Sequence, residues 1–98
     1  MDYKILNDEE LNDICLDFKA LGDINRLKIS MLLLNGEMCV GAICESIKLS
    51  QSATSHQLRI LKDAKILKSR KEGNVIYYSL VDNHIKAIIE NTIAHLSC

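Results

Sequence analysis

The sequence contains no proline, no internal repeat and no low-complexity segment, so nothing in it marks a linker between domains. With 98 residues it fits one domain, expected to span residues 1–98. No apolar run approaches the roughly 18 residues that a bilayer-spanning helix needs. The start, Met1-Asp2-Tyr3-Lys4, carries both charges and leads into an acidic stretch, which does not read as a secretory signal. The expected setting is the cytoplasm, without a membrane. In that setting the four cysteines, Cys15, Cys39, Cys44 and Cys98, do not read as a disulfide framework. Metal binding, redox sensing and core packing remain open for them. Neither a nucleophile–base set nor a glycine-rich phosphate loop is present, which argues against an enzyme and against a small-molecule substrate.

Charge of one sign is also lacking: the net charge is −1. The distribution is uneven, however. Six of the 13 acids lie within residues 1–17, against one lysine. Six of the 12 basic residues lie within residues 59–71, where Asp63 is the one acid. Such a basic segment is either a solvated face or a surface for a polyanion, and its structural context decides between them.

The apolar pattern is almost wholly helical. Leu11, Ile14, Cys15, Phe18 and Leu21 fall at helix spacing behind Asn7 and Asp8, with Gly22 as a stop. This stripe predicts a buried Cys15. Asp23 begins a second helix that carries Ile24, Leu27, Met31, Leu32 and Leu34 and stops at Asn35-Gly36. A third, shorter helix has Val40, Ile43, Cys44 and Ile47 on one face, which makes Cys44 a core residue. Ser50 is a good N-cap for a fourth, about residues 51–64. After Ile66 the period changes to that of two strands, Leu67 to Glu72 and Val75 to Leu80, joined by the hairpin signal Gly73-Asn74. Asp82 then caps a last helix to about Leu96, with Ile85, Ile88, Ile89, Thr92, Ile93 and Leu96 as its stripe. The fold class is mainly α with a β-hairpin wing (α+β): four helices, two strands and a closing helix. Two helices with a short turn and then a basic ribbon form the winged helix-turn-helix plan.

Within that plan the fourth helix is the recognition helix. At about 100° per residue, Thr54, Leu58 and Leu61 share one side and belong to the core. Gln51, Ser52, Ser55, His56, Arg59 and Lys62 cover the other, without an acid or a large apolar residue. Short polar groups near a helix start reach base edges in the major groove, and cations further along meet phosphates. Gln51 is the best candidate for base readout, since Gln pairs bidentately with adenine. Lys68, Arg70 and Lys71 on the hairpin extend the same surface.

The stretch Leu49-Ser50-Gln51-Ser52-Ala53-Thr54-Ser55-His56-Gln57-Leu58-Arg59-Ile60-Leu61 resembles the recognition-helix signature of the ArsR/SmtB winged-helix repressors. Ala20-Leu21-Gly22-Asp23-Ile24-Asn25-Arg26-Leu27 resembles that family's entry to its second helix, and Arg70-Lys71-Glu72-Gly73 with Tyr77-Tyr78-Ser79-Leu80 its wing. The match runs from about Phe18 to His95. It implies a homodimer, formed through the first and last helices, on an inverted repeat in double-stranded operator DNA. It also implies release when an inducer, usually a metal ion, binds.

The last helix carries candidate ligands: Asp82, His84, His95 and Cys98. His84 and His95 point in nearly the same direction but lie roughly 16 Å apart along the axis. One tetrahedral ion holds its ligands at about 2 Å, so a single helix cannot supply both. Two such helices packed antiparallel across a twofold axis bring 84 beside 95 and 82 beside 98, in two equivalent sites. The donor set suits zinc first, with cadmium, cobalt or nickel as further ions. Family sensors with a last-helix site use Asp-x-His near its start and His-x-x-(His or Glu) near its end. Three of these four ligands match, and Cys98 departs from the pattern; there either its thiolate or a terminal carboxylate would coordinate.

Other family members sense soft metals through Cys-x-Cys at the third helix. Here Cys39 is kept, but Gly41 stands in place of the second cysteine. The alternative inducer is a thiol oxidant or persulfide, acting for example through a Cys15–Cys98 disulfide between first and last helices.

Overall fold

The computed structural model describes residues 4–97. Each long helix starts where the sequence supplies a cap. Asn7 accepts from the Glu10 N–H at 2.8 Å while Glu10 accepts from the Asn7 N–H at 3.1 Å, a capping box that opens α1 (Asp8–Leu21). Asp8, Glu9 and Glu10 place negative charge at the positive end of its dipole. At Gly22 a Cβ would lie 3.1 Å from the Phe18 carbonyl oxygen, a contact that a larger residue could make only if the backbone gave by a few tenths of an ångström. Asp23 caps α2 (Ile24–Leu32) by accepting from the Arg26 N–H at 3.1 Å. The chain then tightens into a 3-10 turn (Leu33–Asn35), so α2 stops two residues before the expected Leu34.

A short strand, β1 (Met38–Cys39), leads into α3 (Val40–Ile47). Ser50 accepts from the Ala53 N–H at 3.1 Å and opens α4 (Gln51–Asp63). The exit of α4 is tight: the Ile66 N–H reaches the Leu61 carbonyl at 2.9 Å and the Lys65 N–H reaches that of Lys62 at 3.0 Å. This is a Schellman closure, with Lys65 at φ 60° where glycine is usual. β2 (Leu67–Glu72) and β3 (Val75–Leu80) are antiparallel, with Glu72 opposite Val75. The loop between them is therefore the two residues Gly73-Asn74, and Gly73 takes φ +63° at its first position. Asp82 accepts from the Ile85 N–H at 2.9 Å and starts α5 (Asn83–Leu96).

The helical order and the hairpin agree with the sequence expectation. The sheet has one strand more, since β1 pairs with β3 and the strand order is β1-β3-β2. Two residues are too short to show a period of two, so the pattern could not announce them.

The core joins Ile29 of α2, Ile43 of α3, Leu58 and Leu61 of α4, Ile66, Leu67 and Ile89 of α5. Thr54 is buried with them, as its helix spacing requires. Burying one such leucine or isoleucine contributes about 1.5–3 kcal/mol, and these contacts seat α4 with one face inward. α1 gives only Ala20 to the fully buried set. Its stripe of Leu11, Ile14, Cys15 and Phe18 faces away from the core and is exposed. The expected burial of Cys15 is thus corrected: helix spacing put it on the apolar face, but the protomer leaves that face uncovered. Cys39 and Cys44 are half-buried. Among the described residues no helix is long and apolar enough to cross a membrane.

Candidate nucleic-acid interface and metal-ligating residues

Because Thr54, Leu58 and Leu61 anchor one face of α4, the opposite face is turned outward. Gln51, Ser52, Ser55, His56, Arg59 and Lys62 are all exposed. The capped N-terminus of the helix lies beside Gln51 and Ser52, so backbone N–H groups add positive potential there. The face carries hydrogen-bonding groups at its start and cations in its later turns.

The wing is less simply basic than its sequence. Lys68, Arg70 and Lys71 are exposed. Arg70, however, is engaged. Its Nε and one terminal nitrogen donate to the two oxygens of Glu37 at 2.7 and 2.6 Å, and the other terminal nitrogen donates to Glu72 at 2.6 Å. Its guanidinium also lies 4.6 Å from the centre of the Tyr77 ring. The bond from Arg70 holds the Glu37 carboxyl below its ordinary pKa, and the two carboxylates push Arg70 higher still. Two acids thus neutralise the wing's arginine and strap β2 to the segment before β1. Sequence reasoning missed this. Glu72 at two residues' distance was a visible partner on the same strand face, but Glu37 is 33 residues away. Among the described residues no ion pair engages Lys62, Lys68 or Lys71.

At the start of α5, Asp82 divides its carboxylate between two tasks. Oδ1 takes the Ile85 N–H, and Oδ2 lies 3.7 Å from His84 Nδ1. The Ile85 N–H holds the Asp82 carboxyl below its ordinary range, and the adjacent His84 adds to this. Two donors of one tetrahedral ion with bonds near 2.1 Å stand about 3.4 Å apart. The Asp82–His84 pair therefore fits as half of a site, exposed and open to further ligands. His95 lies in the last turn of the same helix and is exposed. Cys98 lies outside the described residues. Among the described residues no group of three or more His, Cys, Asp or Glu side chains is gathered as a metal site within this chain.

A family profile described as bacterial regulatory protein, arsR family, matches residues 23–69, from the cap of α2 into the wing. The chain is 45% identical over 84 residues to the cadmium resistance transcriptional regulatory protein CadC homolog of Staphylococcus aureus, covering 85% of this chain and 69% of that protein. It is 42% identical over 79 residues to the transcriptional repressor SmtB homolog of Synechocystis sp., covering 81% of this chain and 60% of that protein. The fold superposes on reduced HlyU from Vibrio cholerae with a TM-score of 0.82 at 32% identity, covering 93% of this chain and 95% of that one. These relatives are named as transcription regulators, not enzymes. By fold, motif and relatives together, this chain belongs to the ArsR/SmtB family of winged helix-turn-helix transcription regulators.

Proposed function

We propose that this chain, a single winged helix-turn-helix domain, is a metal-responsive transcriptional repressor. It binds an inverted-repeat operator as a homodimer in the cytoplasm and is released when a zinc-type ion binds at the dimer interface. The observation that carries the reading is the outward, acid-free face of α4 set beside the wing. Gln51, Ser52, Ser55 and His56 are assigned to base edges, and Arg59, Lys62, Lys68 and Lys71 to phosphates. Arg70 reaches a phosphate only by exchanging Glu37 or Glu72 for it.

The dimer rests on the apolar face that the protomer leaves open. Phe18 of α1 is 62% exposed and Leu96 of α5 is 86% exposed, with Leu11, Ile14 and Ile93 alongside. A second copy of the same face covers them in an isologous contact. Across it, Asp82 and His84 of one protomer meet His95 and Cys98 of the partner subunit. Zinc supplies a fixed tetrahedral preference to that donor set, and cadmium, cobalt and nickel are the other ions it accepts. Likeness to a protein named for cadmium resistance and to an SmtB homolog supports metal as the inducer.

A second reading, with a thiol oxidant or persulfide as inducer, rests on Cys15 lying outside the protomer's core, on the face that the second copy meets. One experiment separates the two. A DNA duplex selected by the protein from a random pool is bound in chelated, reducing buffer. Each metal is then titrated under reduction, and oxidant under chelation. Release by metal alone supports the first reading; release by oxidant alone replaces it with the second.

A further inference from the structure

Among the described residues, two side-chain hydrogen-bonded links join elements distant in sequence: Arg70 to Glu37, and Arg26 to Gln57. The second touches α4. Arg26 lies in the first turn of α2, and its backbone is pinned on both sides. Its N–H donates to Asp23 at 3.1 Å, and its carbonyl accepts from the Ser30 hydroxyl at 2.9 Å. Its guanidinium donates from Nε to the Ala20 carbonyl at 2.7 Å and, at 3.5 Å, to that of Lys19. Both carbonyls belong to the last turn of α1; that of Lys19 also accepts from the Gly22 N–H at 3.2 Å, whereas among the described residues that of Ala20 has no backbone partner. The remaining terminal nitrogen donates to Gln57 Oε1 on α4 at 3.1 Å. One side chain on α2 thus grips α1 and α4 together.

Resting on the DNA-binding dimer proposed above, we propose that Arg26 is a positioning residue for DNA recognition. Through Gln57 it fixes the recognition helix to the last turn of α1, and so to the dimer axis. Leu58 and Leu61 hold α4 on the core, but apolar burial is non-directional and does not by itself fix the angle of the helix. A guanidinium is planar, with donors in a rigid fork, so acceptors on two helices fix direction as well as distance. Direction matters because half-sites on one face of B-DNA lie about 34–36 Å apart. Two recognition helices that rock independently still bind, but they tolerate the wrong spacing. Gln57 suits this role: it is half-buried, between the core face and the outward face of α4.

The bland alternative is that Arg26 merely satisfies the end of α1. Gln57→Met tells them apart, because it removes the α4 end of the link and leaves both α1 carbonyls bonded. Arg26→Lys keeps the charge but cannot span both helices. The 98-residue chain first selects a duplex from a random pool; a second duplex then has its centre lengthened by two base pairs. Kd is measured on both for wild type, each variant and the double variant, with urea midpoints as a check on folding. The expected result is that each variant binds the selected duplex about tenfold more weakly, while the lengthened duplex is unchanged. The double variant should match either single one. Unchanged spacing discrimination in Gln57→Met overturns the proposal, and so does an additive double variant, which would mean that Gln57 touches DNA directly. If wild type selects no sequence, the DNA reading falls and takes this proposal with it.

Discussion

Thr54 shows what one residue can reveal. Its side chain is completely buried, and among the described residues its Oγ1 finds no hydrogen-bond partner. Spacing alone places it with Leu58 and Leu61, so its burial was legible in the sequence. The orphaned hydroxyl was not, because a partner can be sought only among neighbours brought in from other elements. A buried hydroxyl without a partner costs about 1–3 kcal/mol. Thr54→Val has nearly the same shape and no polar atom. It is expected to raise the unfolding free energy by about 1 kcal/mol, read as a higher urea midpoint with the slope unchanged. A lowered midpoint would show that Oγ1 is bonded after all. Cys15 gives the opposite lesson. Its place on an apolar helix face was readable, but whether that face meets the protomer's own core depends on the packing of the other helices.

At the scale of elements, helix starts were legible because caps are local: Asn7, Asp23, Ser50 and Asp82 each bond an N–H within three residues. The third strand and the Glu37–Arg70 strap were not, since both join segments more than 30 residues apart. The strap changes what the wing should do on DNA. Glu37→Gln removes a negative charge beside the wing and loosens its hold on Arg70. Operator binding is expected to tighten and its salt dependence to steepen by about 0.9 in log–log slope, the share of one added phosphate contact. An unchanged slope would mean that Arg70 stays strapped on DNA. The pH dependence follows from the same pair. The fold lowers the Glu37 pKa, so its contribution is complete above the ordinary glutamate range and is lost as pH falls through the lowered value. Wild type and Glu37→Gln should therefore converge at acidic pH. On α4, Gln51→Ala should weaken selected DNA more than random DNA, whereas Lys71→Ala should weaken both and flatten the salt slope. Equal discrimination by Gln51→Ala would remove that helix from base readout.

At the scale of the whole molecule, the proposed metal ligands make sense only for two chains. Asp82 and His84 stand together at one end of α5, and His95 stands in its last turn, roughly 16 Å along the axis. No side chain bridges that gap. A site that uses both histidines must therefore take them from different protomers, which makes metal stoichiometry a test of assembly. As homodimers, His84→Ala and His95→Ala should each lose both sites. A mixed dimer of the two variants, purified with different tags, behaves differently. One of its sites combines the two mutated positions and is lost. The other combines the intact His84 of one chain with the intact His95 of the other. The mixed dimer should then hold about one zinc ion, measured against a chromophoric chelator in reducing buffer. If each site were built within a single chain, both chains of the mixed dimer would lack a ligand, and it would hold none. A value near zero rejects the shared site; a value near one makes metal binding a property of the dimer. If zinc also releases the operator, as proposed, linkage requires operator DNA to weaken zinc binding by the same factor that zinc weakens operator binding.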